Sequence, residues 1–263
     1  MRKIIPVILI FLLTSFAYQN EEPVFNSSFQ GGEWFQFRIH YGVFNASYAT
    51  LELKDEMLKG KSVYHVVGKG KTTGLARWFF AVDDNYESYF DKQDGKPYRF
   101  IRQIDEGGYT KDLEINFNHQ DNEAVVTNHK HGTTKTIETN NEIQDLLSAF
   151  YFLRENYQAE DLKVGEEIIL DLLYDDDKPF RFKLKFLGRE EVNTKFGNVN
   201  CLKFRPYVQS GRVFKEEESL TLWVSDDKNK VPIRIKADLM IGSLKADLEA
   251  FKGLKHQFKI KVD

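Results

Sequence analysis

The sequence predicts a mainly β protein, with a strongly curved antiparallel sheet, as an open barrel or a spiral β-roll, and one long helix packed on or in it. Three observations lead to this prediction. Many short runs alternate between apolar and polar residues, and turn residues separate these runs. One segment between the two halves has helical spacing instead. Three short motifs also recur about 134 residues apart, which predicts an internal duplication.

The first half is predicted to form a series of hairpin strands. The run from Trp34 to Phe44 alternates with the period of two that is typical of a half-buried strand. Similar runs follow at Tyr48–Leu53, Ser62–Gly68, Tyr86–Phe90, Tyr98–Ile104, Tyr109–Phe117, Glu123–Thr127 and Thr133–Glu138. Between them lie residues that tolerate the positive φ of hairpin turns, namely Gly60, Asp94-Gly95, Gly107-Gly108 and His131-Gly132.

A connecting helix is predicted over about 141–157. Its apolar residues follow helical spacing, at Ile143, Leu146, Leu147, Phe150, Leu153 and Tyr157. Asn141 is expected to cap the helix, with Gln144 reaching back as in a capping box. Because Ala149, Tyr151 and Phe152 widen the apolar face, the helix is expected at the mouth or the concave face of the sheet.

The second half is predicted to form another antiparallel set of strands. Its runs are Glu167–Tyr174, Pro179–Leu187, Val199–Arg205, Glu217–Val224, Val231–Ala237, Ser243–Phe251 and a final run, Gln257–Val262, that would close the sheet edge. No linker rich in Pro, Gly or Ser divides the halves. We therefore expect a single β domain over 31–263, with half-repeats at about 31–139 and 164–251.

The proposed half-repeats rest on three matched motifs. Gly32-Glu33 matches Gly165-Glu166, and Pro97-Tyr98-Arg99-Phe100 matches Pro232-Ile233-Arg234-Ile235. A segment beginning at Lys111 likewise matches one beginning at Lys245. A shared offset for all three favours a duplicated β unit over chance similarity.

The N-terminal residues predict export. Arg2 and Lys3 precede an apolar run from Ile4 to Leu13, and small residues at Ser15 and Ala17 fit a cleavage site, so residues 1–17 are predicted to be a signal peptide. A polar leader, 18–30, follows. The apolar run is shorter than the roughly 20 residues that span a bilayer. We therefore expect a bacterial protein that is periplasmic or associated with the outer envelope, and not an integral membrane protein after cleavage. The formal net charge of −3 argues against nucleic acid as a partner.

No motif specifies a catalytic residue, a metal site or a cofactor. Gly68–Gly74 resembles a phosphate loop but has His65 where that motif needs glycine. Ser225–Lys228 matches S-x-x-K without the companion motifs of penicillin-recognising enzymes. His129 and His131 lack further zinc ligands nearby. We expect strand connections and turns at all these places.

Three further segments have simple structural explanations. Asp175-Asp176-Asp177 lacks the spacing of a calcium loop and is expected to be a solvated turn. Cys201 is the only cysteine and is expected to be a small buried hydrophobe, so no intrachain disulfide can form. Arg77-Trp78-Phe79-Phe80 is either core or an apolar lip on a cavity or partner surface.

Two segments resemble a known family. Leu147-Ser148-Ala149-Phe150-Tyr151-Phe152-Leu153-Arg154 resembles the helix motif of DUF3108, a family of exported bacterial proteins of unknown function. The segment from Trp223 to Asp227, with Val231-Pro232-Ile233-Arg234, also fits that family. The resemblance runs from about Gly31 to Phe251 and implies a curved antiparallel β fold in the cell envelope, with no catalytic residues to carry over. The strand and turn are also similar to periplasmic half-barrels of the lipoprotein-carrier type, which bind acyl chains.

The functional hypothesis is a non-enzymatic envelope protein whose apolar groove binds a lipid, a lipoprotein acyl chain or an extended peptide. The expected lining residues are Phe35, Phe37, Tyr41, Trp78, Phe150 and Tyr151. Two alternatives stay open. One is a structural or protein-interaction module of the envelope with a filled core, whose partners dock on an edge strand or on loops. The other is a hydrolase whose site is assembled from residues distant in the chain.

Overall fold

The computed structural model of the protein describes residues 28–74, 77, 81–207, 220–239 and 241–261. The expected signal peptide and Trp78 lie outside the described residues. The strands are β1 (Trp34–Tyr41), β2 (Phe44–Leu58), β3 (Lys61–Thr72), β4 (Val82–Asp91), β5 (Pro97–Glu106), β6 (Tyr109–Asn118), β7 (Glu123–Asn128), β8 (Thr133–Glu138), β9 (Glu167–Leu172), β10 (Phe180–Thr194), β11 (Gly197–Tyr207), β12 (Leu220–Ser225), β13 (Pro232–Asp238) and β14 (Ser243–Lys252). The helix α1 (Leu146–Asn156) lies between β8 and β9.

All fourteen strands belong to one antiparallel sheet with the order β8-β7-β6-β5-β4-β3-β2-β1-β14-β13-β12-β11-β10-β9. Two meanders, β1–β8 and β9–β14, join where the first strand pairs with the last. The edges are therefore β8 and β9, which do not pair, so the sheet is not closed into a barrel. The prediction of a mainly β protein with an open antiparallel sheet and a helix between its halves is confirmed for the described residues.

The sheet must curve strongly, because groups near its two edges meet. Arg102 on β5 donates to Asp175, which follows β9, over 2.8 Å. Those strands are ten positions apart in the order, about 48 Å in a flat sheet at the usual strand spacing. Lys111 on β6 also pairs with Asp175, and Asn128 donates to Asp176 over 3.0 Å. The expectation of a solvated turn at these aspartates is therefore wrong: the acidic loop fastens the two edges of the sheet together.

This fastening should weaken in acid. Burial alone would raise the pKa of Asp175, but its bonds to Lys111 and Arg102 outweigh burial and lower the pKa to about 2. The stabilisation is therefore present above the unfolded pKa of about 4 and is lost as the pH falls toward 2. We expect Asp175→Asn to lower the free energy of unfolding by about 1 kcal/mol near neutrality, since the group is partly exposed and screened. Urea unfolding at several pH values checks this, and an equal loss at acidic and neutral pH would contradict it.

The helix is shorter than predicted and begins later. Asp145 is its N-cap, and its side chain accepts from the amides of Leu147 and Ser148, both over 2.8 Å. The predicted capping pair of Asn141 and Gln144 is wrong, because the chain at Gln144 bridges to β9 in extended form. The helix ends before Tyr157, close to the predicted end.

The end of the chain also differs from the prediction. Among residues 257–261, only Lys261 makes a β bridge, to Asn198 on β11. The final run therefore does not form an edge strand, and β8 and β9 are the edges.

The two matched halves share local geometry at two places. Gly32, just before β1, and Gly165, just before β9, have φ of 91° and 92°. The Gly32 amide donates to the carbonyl of Leu53 on β2, and the Gly165 amide donates to that of Phe186 on β10, both over 2.8 Å. A register shift also directly follows both Pro97 and Pro232 along their strands. These similarities accord with the repeat seen in the sequence, and the duplication itself stays a prediction.

The interior is divided into packed clusters around α1. On the side of β2–β4, Tyr151 is fully buried against Phe29, Tyr64 and Phe90. On the side of β9–β12, another cluster packs against Leu153 of the helix, with members Ala159, Ile168, Leu184, Phe186, Leu202, Phe204 and Val224. One face of the helix therefore packs tightly against β2–β4, and its other face is directed toward β9–β12.

Candidate functional site

An apolar crevice lies between α1 and the inner face of β9–β12. Directly opposite residues of paired strands share a face, so Leu202 with Val224 and Phe204 with Leu222 form one wall. The crevice is half-open and has a volume of about 60 Å³. Its lining is Phe150, Leu153, Arg154, Tyr157, Leu162, Ile168, Leu184, Leu202, Phe204, Leu222, Val224 and Lys230.

A loop formed by residues 157–166 covers this crevice, and we call it the covering loop. Ala159 and Leu162 pack into the cluster beneath it. Arg189 on β10 ties the loop to the sheet by donating to the carbonyl of Ala159 over 2.6 Å. Val164, near the other end of the loop, is exposed. The bond from the Arg189 side chain therefore holds the covering loop against β10.

A buried lysine stands at one end of the crevice. Lys230 is 7% exposed and lines both the apolar crevice and a neighbouring polar cleft of about 330 Å³. Its Nζ donates to the carbonyl of Arg154 over 2.5 Å and approaches the hydroxyl of Ser28 at 3.5 Å. Burial lowers the pKa of Lys230, and the Arg154 charge adds to this, while Glu155 opposes it.

Behind the lysine lies a fully buried ion pair. Arg154 on α1 donates to both carboxylate oxygens of Glu33, over 2.6 and 2.8 Å. Its Nε and Nη2 also donate to the carbonyl of Asn229, over 3.0 and 2.8 Å. Burial would lower the pKa of Arg154, but the Glu33 carboxylate outweighs burial and raises it. The guanidinium charge is thus already compensated, which leaves Lys230 as the cation that faces the crevice.

Of the residues expected to line a groove, Phe150 lines the crevice. Phe35 and Tyr151 are fully buried in packed clusters, and Phe37 packs partly buried against Phe35. A ligand would reach Phe35 or Tyr151 only by displacing the core. Trp78 lies outside the described residues.

Tyr41, the remaining expected residue, lies far from the crevice at the end of β1. It is 40% exposed, and its hydroxyl donates to the carbonyl of Ile241 over 2.9 Å. This bond joins the β1–β2 turn to the β13–β14 turn. Next to it, Val43, Phe44 and Ile241 are 87%, 74% and 80% exposed, and we call these three residues the apolar tips.

The sequence motifs that resemble catalytic sites have structural roles here. Ser225 is buried, donates to Asp227 over 2.8 Å and accepts from the amide of Val231, so it shapes the turn. The segment from Gly68 to Thr72 is part of β3. Cys201 is buried, and burial raises the pKa of its thiol to about 12, which makes it a poor nucleophile. Within the described ranges, no group of three or more His, Cys, Asp or Glu side chains is placed to hold a metal ion.

Sequence reasoning did not find Lys230 or the second-half leucines. Lys230 sits in the turn after Asp226-Asp227, where charged residues are normally solvated. The available clue was its place beside Val231-Pro232, the segment that carries part of the family resemblance. In the part of the chain that the structure describes, no helix has the length and hydropathy needed to cross a membrane.

Comparison with known proteins gives a family and a fold. A family model described as protein of unknown function, DUF3108, matches residues 36–249. No curated protein matches the chain. The β-barrel-like protein of the DUF1849 domain of unknown function from Brucella abortus is 12% identical, with 87% of this chain and 100% of that chain covered and a TM-score of 0.58. That likeness supports the fold alone.

Two other solved structures are more distant. A protein described as exported, with a YmcC-like fold, from Bacteroides fragilis is 12% identical, with 87% and 99% of the two chains covered and a TM-score of 0.35. A protein described as a lipoprotein from Parabacteroides distasonis is 13% identical, with 88% and 99% covered and a TM-score of 0.32.

Proposed function

The chain belongs to the DUF3108 family, whose function is unknown, and we propose that it is a non-enzymatic envelope protein that binds a lipid or acyl chain in the apolar crevice beside α1. The observation that carries this proposal is the chemistry of the crevice. Ten of its twelve lining residues are apolar or aromatic, and the two cations lie together at one end. Apolar walls with few polar groups are typical of sites for small apolar ligands.

The polar clefts of the described surface suit such a ligand less well. Clefts of about 370 and 640 Å³ lie near the β5–β7 end of the sheet. They are larger than the crevice, but lysine, arginine, asparagine and acidic side chains line them. An acyl chain would gain little there, because its stabilisation grows with the apolar area removed from water. Lining chemistry, rather than size, therefore points to the crevice.

The size of the crevice implies that the ligand displaces the covering loop. About 60 Å³ is well below the roughly 300–1,000 Å³ of ordinary ligand sites. Beneath the loop, the inner wall of β9–β12 is apolar and continuous, so lifting Ala159 and Leu162 would lengthen the groove. The side of the helix that faces β2–β4 has no such room, because Tyr151 and Phe29 fill it. The groove is thus proposed for the second half of the sheet and not for the first.

Export completes the proposal. Cleavage of the predicted signal peptide, 1–17, would leave the mature protein in the periplasm or at the outer envelope. An apolar chain meets water there, so a protein that shields it has a clear use. The crevice lining holds no serine, cysteine, histidine or carboxylate side chain among the described residues, which favours binding over hydrolysis.

Uptake of a neutral apolar dye tests the proposed function. We expect 1-N-phenylnaphthylamine to bind saturably, with a rise in its fluorescence, and Leu222→Phe to reduce its affinity several-fold because the ring fills the crevice. Leu239→Phe, which enlarges an exposed leucine elsewhere, is the matched control and should leave binding unchanged. Absence of saturable dye binding to the wild type would overturn the proposal, as would equal binding by the Leu222→Phe variant.

The apolar tips favour a second candidate function, an interaction module of the envelope. Val43, Phe44 and Ile241 are large apolar side chains on two adjoining turns, and clustered exposure of this kind often marks a contact surface. Under this alternative, Ile241→Ser would abolish crosslinks to an envelope component while dye binding stays intact. Retained crosslinks in that variant would exclude the tips as the contact.

A further inference from the structure

We propose that the ligand of the crevice is an amphiphile with a single anionic headgroup, and that Lys230 binds this headgroup. The inference rests on the proposed function and names the ligand class. The apolar chain would occupy the crevice, and the headgroup would lie in the polar cleft that adjoins it. Lys230 is the residue that lines both spaces and stands at their junction.

Among the described residues, the Lys230 ammonium has no carboxylate in direct contact, and Glu155 and Glu160 act on its charge only from a distance. Within the described residues, no carboxylate lies within 4.0 Å of its Nζ, which contacts the Arg154 carbonyl and the Ser28 hydroxyl. An ammonium group has three donors, so one remains for a ligand. A buried ammonium is costly unless a charge compensates it. An incoming carboxylate or phosphate would supply both the missing acceptor and the missing charge.

The acidic groups nearby are largely committed elsewhere. Glu33 is held by Arg154 in a bidentate pair. Asp227 accepts from the amides of its own turn, at Asn229 and Lys230, over 3.0 and 3.1 Å. Asp226 pairs with Arg189 at 2.9 Å. Glu155 accepts from the amide of Ser28 over 3.3 Å, and Glu155 and Glu160 attract the Lys230 charge from beyond 4.0 Å. None of these carboxylates neutralises the Lys230 ammonium by direct contact.

The polar cleft itself is suited to an anion. Lys228 and Lys259 line it together with Lys230. Neither of these two lysines makes an ion pair within 4.0 Å in the described part of the chain. The acidic residues of the lining are Glu160, Asp226 and Asp227. The three lysines and the three carboxylates of the lining balance in formal charge. Asp226 is paired with Arg189 outside the lining, and the lysines make no direct ion pair among the described residues, so they are available to an anionic group.

A purely structural role for Lys230 is the competing explanation. Its bond to the Arg154 carbonyl lies near the C-terminus of α1, where a cation satisfies a free carbonyl and favours the helix dipole. Such a role would change stability on substitution but would not distinguish charged from neutral ligands. Ligand selectivity therefore separates the two explanations.

Displacement of bound 1-N-phenylnaphthylamine by three amphiphiles of equal chain length tests the headgroup assignment. Dodecanoate and dodecyl phosphate carry an anionic head, and dodecanol a neutral one. We expect both anions to displace the dye from the wild type at concentrations about tenfold or more below dodecanol, as suits one charged hydrogen bond. Lys230→Gln should remove this preference, with each displacement measured against the dye affinity of that same variant, and Lys230→Arg should keep it. Displacement by one anion alone would assign the head as a carboxylate or a phosphate.

Lys135→Gln, at an exposed lysine on β8, is the matched control and should behave as the wild type. Equal displacement by charged and neutral amphiphiles would overturn the headgroup assignment but leave the crevice as a binding site. A preference that survives in Lys230→Gln would do the same. Failure of the dye to bind the wild type would instead overturn the proposed function, and the headgroup assignment with it.

Discussion

Replacing Arg154 by methionine is expected to lower the free energy of unfolding by about 3–5 kcal/mol, the range for breaking a buried ion pair from one side. Methionine keeps most of the length of the side chain but none of its charge. Glu33, which is fully buried, would then keep an uncompensated carboxylate in the core. The same change removes the donors to the carbonyl of Asn229.

The large effect follows from how many segments meet at this one side chain. Arg154 belongs to α1, Glu33 precedes β1, and Asn229 lies in the β12–β13 turn. Asn229 in turn donates to the carbonyl of His256, after the last strand. The guanidinium also lies 5.2–5.7 Å from four aromatic ring centres, those of Phe29, Phe35, Phe150 and Tyr151. The ion pair therefore holds the helix, the N-terminal segment and the second half of the sheet in one arrangement.

Chemical denaturation of three variants measures this effect. Arg38→Met, which removes the partly exposed pair with Glu249 at 3.7 Å, is the control and should cost less than about 1 kcal/mol. The double variant Glu33→Met, Arg154→Met should recover much of the loss, because no charge is then left buried alone. A loss from Arg154→Met no larger than that of the control would show that the buried pair does not hold the fold.

Residue patterns predicted the strands well but not this pair. Alternation along the chain reports which side chains share a face, and it located nearly every strand. Arg154 ends the apolar helix motif Leu147–Arg154, a position where a charged side chain is normally solvated. Its partner Glu33 lies 121 residues earlier, and no local pattern links two positions so far apart. The fold class was therefore predictable, whereas the contact that joins its parts was not.

The helix start was misplaced, and the residues expected to line one groove lie in different places, for related reasons. Asn141 is a good local cap, but the segment at Gln144 gains a bridge to β9 that the sequence does not reveal. Likewise, Phe35 and Phe150 are equally apolar, and nothing in their patterns tells which one faces a packed cluster and which a crevice. Both differences arise where the folded arrangement outweighs local preference.

Replacing Asp145 by alanine is the second substitution with a large expected effect, about 2–4 kcal/mol. Loss of the helix cap accounts for roughly 0.5–2 kcal/mol. The remainder comes from buried donors left without an acceptor, at roughly 1–3 kcal/mol. Ser88 on β4 donates to Asp145 over 2.5 Å, and the amides of Leu147 and Ser148 donate to its other oxygen. Chemical denaturation gives the loss, and Asn141→Ala, at the wrongly predicted cap, is the control that should change little.

The pH dependence of the free energy of unfolding separates the contribution of the Asp145 charge from that of its side-chain shape. Burial raises the pKa of Asp145 to about 6, although the bonds from Ser88 and Ser148 act to lower it. Because the folded pKa lies above the unfolded value of about 4, the folded state binds the proton more tightly than the unfolded chain does. The resulting stabilisation is complete below pH 4 and is lost as the pH rises through 6.

Asp145→Asn keeps the shape of the side chain but does not titrate. The free energy of unfolding of the wild type minus that of Asp145→Asn should therefore fall between about pH 4 and 6. Asp84, whose pKa is also raised to about 6, remains in both proteins and cancels in that difference. A difference that does not vary with pH would mean that the cap carries the same charge in the folded and unfolded chains.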